Sequence, residues 1–234
     1  MIDERNPDNT NIPPFETEDL RRNLAAFLDS DFCDPISGET VKVGNYKWGV
    51  YAFYDYDGEP IYVGQTNEQL RTRIRRHLTN QRTDAVAMSV LDPFEVREIE
   101  VWPLPEYQNI TSATDKAEAK KHLNALEYMV FDTSIENSEF KAVLNEKDPP
   151  SPEVEIELPP SSRGCIVSDE VFRIRSHPDF RIARRALIIS RLAQVISERQ
   201  VQSGLRRVLL TQAKRLQWLA DRRFTALSGD GGEG

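Results

Sequence analysis

The 234-residue sequence predicts an α+β fold: a small antiparallel sheet flanked by helices, with an amino-terminal helical extension and a carboxy-terminal, mostly helical region. Two observations carry this. Residues 48–66, WGVYAFYDYDGEPIYVGQT, hold two apolar runs joined around Asp57-Gly58, the pattern of a β-hairpin. Beyond Thr66 the apolar spacing turns helical, then alternating, then helical again, so the order reads β-β-α-β-α.

Each element has its own signal. Residues 1–14, rich in Asn, Pro and acid, read as a disordered lead-in. In 17–30 the spacing of Leu20, Leu24, Phe27 and Leu28 predicts an amphipathic helix with Thr17 as its N-cap. DPISGETVKVG follows as a turn and a short strand leading into the hairpin. Leu70, Ile74 and Leu78 predict a helix over 67–81, with Asn67 at the cap. Val96, Ile99 and Val101 alternate with charge in 93–105, a half-buried strand. The stretch 111–134 reads as a long helix with Leu123, Leu126 and Met129 on its apolar face. Five prolines between 145 and 164 mark a linker or wrapping arm. The remainder is helical in pattern, with boundaries at Pro178 and at Ser203-Gly204 and a disordered tail, and its apolar face is expected at Ile182, Ala186, Ile189, Leu192, Val195 and Ile196. The organisation is therefore an extension over 1–45, a core over 46–146, a linker over 147–164 and a basic helical region over 165–228.

Composition narrows the class. No apolar run approaches the roughly 18 residues a membrane span needs, and the acidic start is the opposite of a secretory leader. The expectation is a cytoplasmic protein with no membrane partner. Two distant cysteines, Cys33 and Cys165, suit reduced thiols better than a disulfide or zinc site. The net charge of −8 hides an asymmetry: residues 1–160 carry 16 Lys+Arg against 31 Asp+Glu, and residues 161–228 carry 14 against 5. That basic block suits a phosphate-binding surface, or an acidic body and a basic tail complementing each other across a dimer. Charge alone does not decide between them.

The chemistry-bearing residues lie in the core. Tyr51 and Tyr62 stand on adjacent strands of the hairpin, each near a glycine. Sheet packing alone would explain aromatic residues there. Arg73 and His77, four apart, share a helix face, although a histidine among arginines can also be a solvated helix residue. Glu127 sits within NALEYMVF, where a carboxylate is costly to bury without a partner or a metal. His122 and His177 have no spacing that suggests ligation.

GVY at 49–51, YVG at 62–64, LRTRIRRH at 70–77, LE at 126–127 and AVLN ending in Asn145 together resemble the GIY-YIG nuclease family, most of all its restriction-endonuclease type. The resemblance covers roughly residues 46–146. It implies an endonuclease that hydrolyses DNA phosphodiester bonds with one divalent metal, Mg²⁺ or another such as Mn²⁺, held by Glu127. In that reading Arg73 stabilises charge on the scissile phosphate and Tyr51 helps deprotonate the attacking water. His77 takes the proton onward, while Tyr62 hydrogen-bonds the water or the phosphate. Asn145 corresponds to a late asparagine with a supporting role, and Arg71, Arg75 and Arg76 form a solvated or DNA-facing stripe. Gln65 stands in the phosphate site where many relatives have lysine, so a neighbouring arginine would have to compensate. The implied role is restriction or defence by a homodimer, with a cognate DNA methyltransferase acting on the same site. A mobile-element or homing-type nuclease and a catalytically inactive nucleic-acid-binding module are the alternatives.

Overall fold

Six consecutive residues, Gly49–Tyr54, are all buried, and the rest of the fold covers the two faces of this strand. The computed structural model describes residues 15–79, 91–198, 201 and 203–229. The amino-terminal lead-in, the end of the expected 67–81 helix past Thr79 and the tail from residue 230 lie outside them.

The elements run α1 (Phe15–Leu28), β1 (Asp31–Cys33), β2 (Thr40–Lys42), β3 (Gly49–Tyr54), β4 (Pro60–Thr66), α2 (Leu70–Leu78), β5 (Glu98–Pro103), α3 (Ala113–Asn137), β6 (Ser162–Cys165), α4 (Asp169–Arg175), α5 (Pro178–Glu198) and α6 (Ser203–Gly229). β1 and β2 form a small antiparallel ribbon, and β4-β3-β5-β6 form an antiparallel sheet in that order. The predicted α+β class is the observed one.

Alternate residues of β3 feed two cores, as strand geometry requires. Val50, Ala52 and Tyr54 pack with Leu123, Leu126 and Val130 of α3. Tyr51 and Phe53 face the other way, into a cluster with Leu24, Leu28, Leu70, Ile74, Ile188, Leu192, Leu205 and Val208. The sheet therefore lies between α3 on one face and α1, α2, α5 and α6 on the other. Among the described residues no helix is long and apolar enough to cross a membrane.

Several local expectations shift. Thr17 lies inside α1, which begins at Phe15. Gln69, not Asn67, precedes α2, because Thr66 Oγ1 accepts the Glu68 amide at 3.1 Å and shapes the entry turn. The end of the Pro-rich segment becomes β6, paired to β5. Ser112 caps α3 by accepting the Asp115 amide at 3.0 Å.

The largest correction concerns the carboxy-terminal helices. The buried face of α5 is Arg181, Arg185, Ile188 and Leu192, so two arginines point inward where isoleucines were expected. Carboxylates of the acidic body meet them. Arg185 donates to Asp55 at 3.1 Å and Glu95 at 3.3 Å, and Arg181 pairs with Asp57. Arg184 meets Asp92 at 2.8 Å, Arg215 meets Glu59 at 3.3 Å, and Arg175 meets Glu16 at 2.9 Å. The charge asymmetry is thus used largely within one chain. These guanidiniums tie the helices to carboxylates of the core.

Candidate active site

β3 and β4 pair so that Tyr51 stands opposite Gly64. The glycine is a spatial requirement: a Cβ there would lie 2.7 Å from the Tyr51 hydroxyl oxygen and 2.7 Å from the Tyr62 ring. The two tyrosine rings sit with centroids 6.1 Å apart. Tyr51 is completely buried. Burial drives its phenol well above its ordinary pKa, Tyr62 adds to the rise, and Arg73 opposes it.

Two side chains of α2 meet that phenol. Arg73 Nε donates to the Tyr51 oxygen at 3.3 Å, and His77 Nε2 lies 2.9 Å from the same oxygen. Arg73 and His77 thus converge on one phenol oxygen, and the direction of the Tyr51–His77 bond follows the tautomer of the imidazole. His77 is only 6% exposed and packs among the rings of Tyr51, Phe53 and Tyr62. It is no solvated helix residue.

Across β4, Glu127 approaches from α3. Gln65 Nε2 donates to Glu127 Oε2 at 2.5 Å and to Asn124 Oδ1 at 3.0 Å, while Gln65 Oε1 accepts from Lys120 Nζ at 2.7 Å. Lys120, Asn124 and Glu127, at i, i+4 and i+7, share one face of α3. Burial raises the Glu127 pKa; the Gln65 hydrogen bond, Lys120 and Arg73 pull it back. Gln65 therefore does not strip the site of positive charge. Lys120 on α3 and Arg73 on α2 both supply positive charge near Glu127. Lys120 and Asn124 were missed in the sequence because their spacing to Glu127 acquires meaning only once β4 is known to face α3.

A cleft of about 450 Å³ opens over the β4 edge, lined by Tyr62, His77, Glu127, Asn145 and the segment 146–150. Tyr51 is not among its lining residues. Asn145 Oδ1 accepts from Val63 N at 3.0 Å and its Nδ2 donates to Val63 O at 2.7 Å. One side-chain amide thus satisfies both backbone groups of an edge-strand residue and fixes the segment that walls the cleft.

The expected arginine stripe is divided. Arg71 is turned toward α1, donating to Leu28 O at 3.1 Å and to Asp29 at 2.5 Å. Arg76 grips Glu68 with both terminal nitrogens, at 2.8 and 2.9 Å. Arg75 is exposed. His122 is bonded to the Tyr107 hydroxyl at 2.8 Å, away from these groups.

Among the described residues no three His, Cys, Asp or Glu side chains converge as a closed metal cage. Glu127 nevertheless fits a hard cation that keeps most of its waters: it lines the cleft, and only its Oε2 is engaged by Gln65.

No curated protein and no solved structure matches the chain. Residues 47–134, the span that carries Tyr51, Tyr62, Arg73, His77 and Glu127, match the family model of the GIY-YIG catalytic domain.

Proposed function

We propose that the chain is a metal-dependent endonuclease that hydrolyses DNA phosphodiester bonds and serves as a site-specific restriction or defence nuclease in the cytoplasm. The observation that carries this reading is that His77, bonded to the buried Tyr51 which Arg73 also meets, and a half-buried Glu127 line one cleft, within the span that matches the family model.

The protein's own groups divide the work. A free tyrosinate at 51 is disfavoured by burial, so Tyr51 takes the proton of the attacking water only as it passes its own to His77 Nε2, 2.9 Å away. The imidazolium that forms sits at the cleft wall. Tyr51 is closed off from solvent with the Tyr62 ring beside it, so the attacking water would reach it only on a shift of that ring. Arg73 spends Nε on Tyr51 and keeps its two terminal nitrogens for a non-bridging phosphate oxygen. Glu127 would hold the divalent ion, Mg²⁺ or Mn²⁺, which when bound supplies Lewis-acid polarisation of the phosphate. Two copies, each with one such site, would cut both strands of a symmetric target, and a methyltransferase of the same specificity would protect the host's copies.

The test is incubation of the full chain with unmethylated phage and plasmid DNA, with Mg²⁺ or with EDTA. Frequent discrete fragments that vanish in EDTA are expected of a restriction nuclease. A single rare cut points to a homing-type enzyme, and intact DNA in every condition overturns the nuclease reading.

A further inference from the structure

Several arginines of the basic block are held by the chain's own carboxylates, and a second set of cations lies beside β3 and α3. A groove of about 810 Å³ is lined by Lys47, Trp48, Asn67, Gln108, Lys116 and Lys120 among others, and no carboxylate is in its lining. All three lysines are exposed; the Glu127 carboxylate feels Lys120, but no acid lines the groove itself. Three like charges lining one groove repel one another, and an anion relieves that repulsion.

The groove is built rather than incidental. Lys116 and Lys120 are one helical turn apart on α3. Lys47 precedes β3, and its backbone amide donates to Gln108 Oε1 at 2.7 Å, while Gln108 Nε2 donates to Leu104 O at 2.8 Å. The groove also runs into the candidate active site, because Lys120 lines it and at the same time holds Gln65, which holds Glu127.

We propose that this groove is the track for the phosphodiester backbone of the DNA strand leaving the cleft, with Lys120 the groove cation nearest the scissile phosphate. The proposal rests on the nuclease reading and replaces Arg71, Arg76 and the carboxy-terminal block as the DNA-contacting surface.

Its test is binding, read apart from cleavage. The full chain carrying Glu127→Gln is titrated against a labelled mixed-sequence duplex over a series of KCl concentrations by fluorescence anisotropy. Adding Lys47→Gln, Lys116→Gln and Lys120→Gln is expected to weaken binding at least about tenfold at low salt. It should also flatten the log–log salt slope by about 2 to 3, one counterion per lost phosphate contact. Arg191→Gln, Arg206→Gln and Lys214→Gln, three exposed changes on α5 and α6, are expected to stay within about twofold. Matching thermal midpoints establish that each triple variant folds. An unchanged slope in the groove variant, a larger loss in the α5–α6 variant, or no binding by the parent overturns the proposal. Wild-type cleavage with an unchanged slope sinks the groove alone. A lost slope without wild-type cleavage sinks the nuclease reading and leaves the groove as a DNA-binding site.

Discussion

Tyr51 shares one hydroxyl between an arginine and a histidine, and Gly64 makes the space that allows it. Removing only that oxygen should separate chemistry from folding. Tyr51→Phe is expected to shift stability by about 1 kcal/mol, because the ring and its packing remain. Its single-turnover cleavage rate should fall at least about 100-fold; urea denaturation and a quenched-flow assay read the two quantities. A near-normal rate would mean that the phenol is packing. At this scale spacing placed Tyr51 and Tyr62 on adjacent strands and Arg73 with His77 on one helix face, and the family resemblance added Glu127 to them. The sequence was silent on Lys120 and Asn124, whose roles depend on a contact between β4 and α3 that no local spacing encodes.

Elements were legible where apolar periodicity matched burial and obscure where charge was buried. The hairpin, β5, α2 and α3 follow the ordinary rules. β6, with sequence SRGC, has neither β-branched nor aromatic residues and is defined by pairing with β5. The inner face of α5 was misjudged because Arg181 and Arg185 occupy it, admitted only by Asp55, Asp57 and Glu95. The start of α6 shows a different constraint. A Cβ on Gly204 would stand 1.7 Å from the Glu146 carbonyl oxygen, in the segment that walls the cleft. Gly204→Ala is therefore expected to lower stability by about 1 to 3 kcal/mol, seen as a lower denaturant midpoint. An unchanged midpoint would show that α6 does not press on that segment.

The whole molecule is held by opposite charges that the sequence presented as two separate blocks. Whether those blocks meet within one chain, across a dimer or on DNA is a matter of distance, which composition does not carry. Arg175, almost fully buried, ties α4 to α1 through Glu16 at 2.9 Å, and its hydrogen bond holds the Glu16 carboxyl below the ordinary value of 4.5. The folded state therefore binds that proton more weakly than the unfolded chain. The pair's contribution is present above pH 4.5 and lost as pH falls through the depressed folded value. Wild type should accordingly exceed Glu16→Gln in stability near neutrality, with the gap closing in acid. Urea unfolding of both proteins across that range checks the sign, and a gap that widens in acid would contradict it.

The central claim is that Glu127 and the Tyr51–His77–Arg73 cluster form one hydrolytic centre. Single-turnover cleavage of an end-labelled duplex in Mg²⁺, by the wild-type chain and by Glu127→Gln, tests it most directly. Discrete products are expected from the wild type, with a rate lower by at least about 1,000-fold in the folded variant. Equal rates in the two proteins, or no cleavage by the wild type, would contradict it.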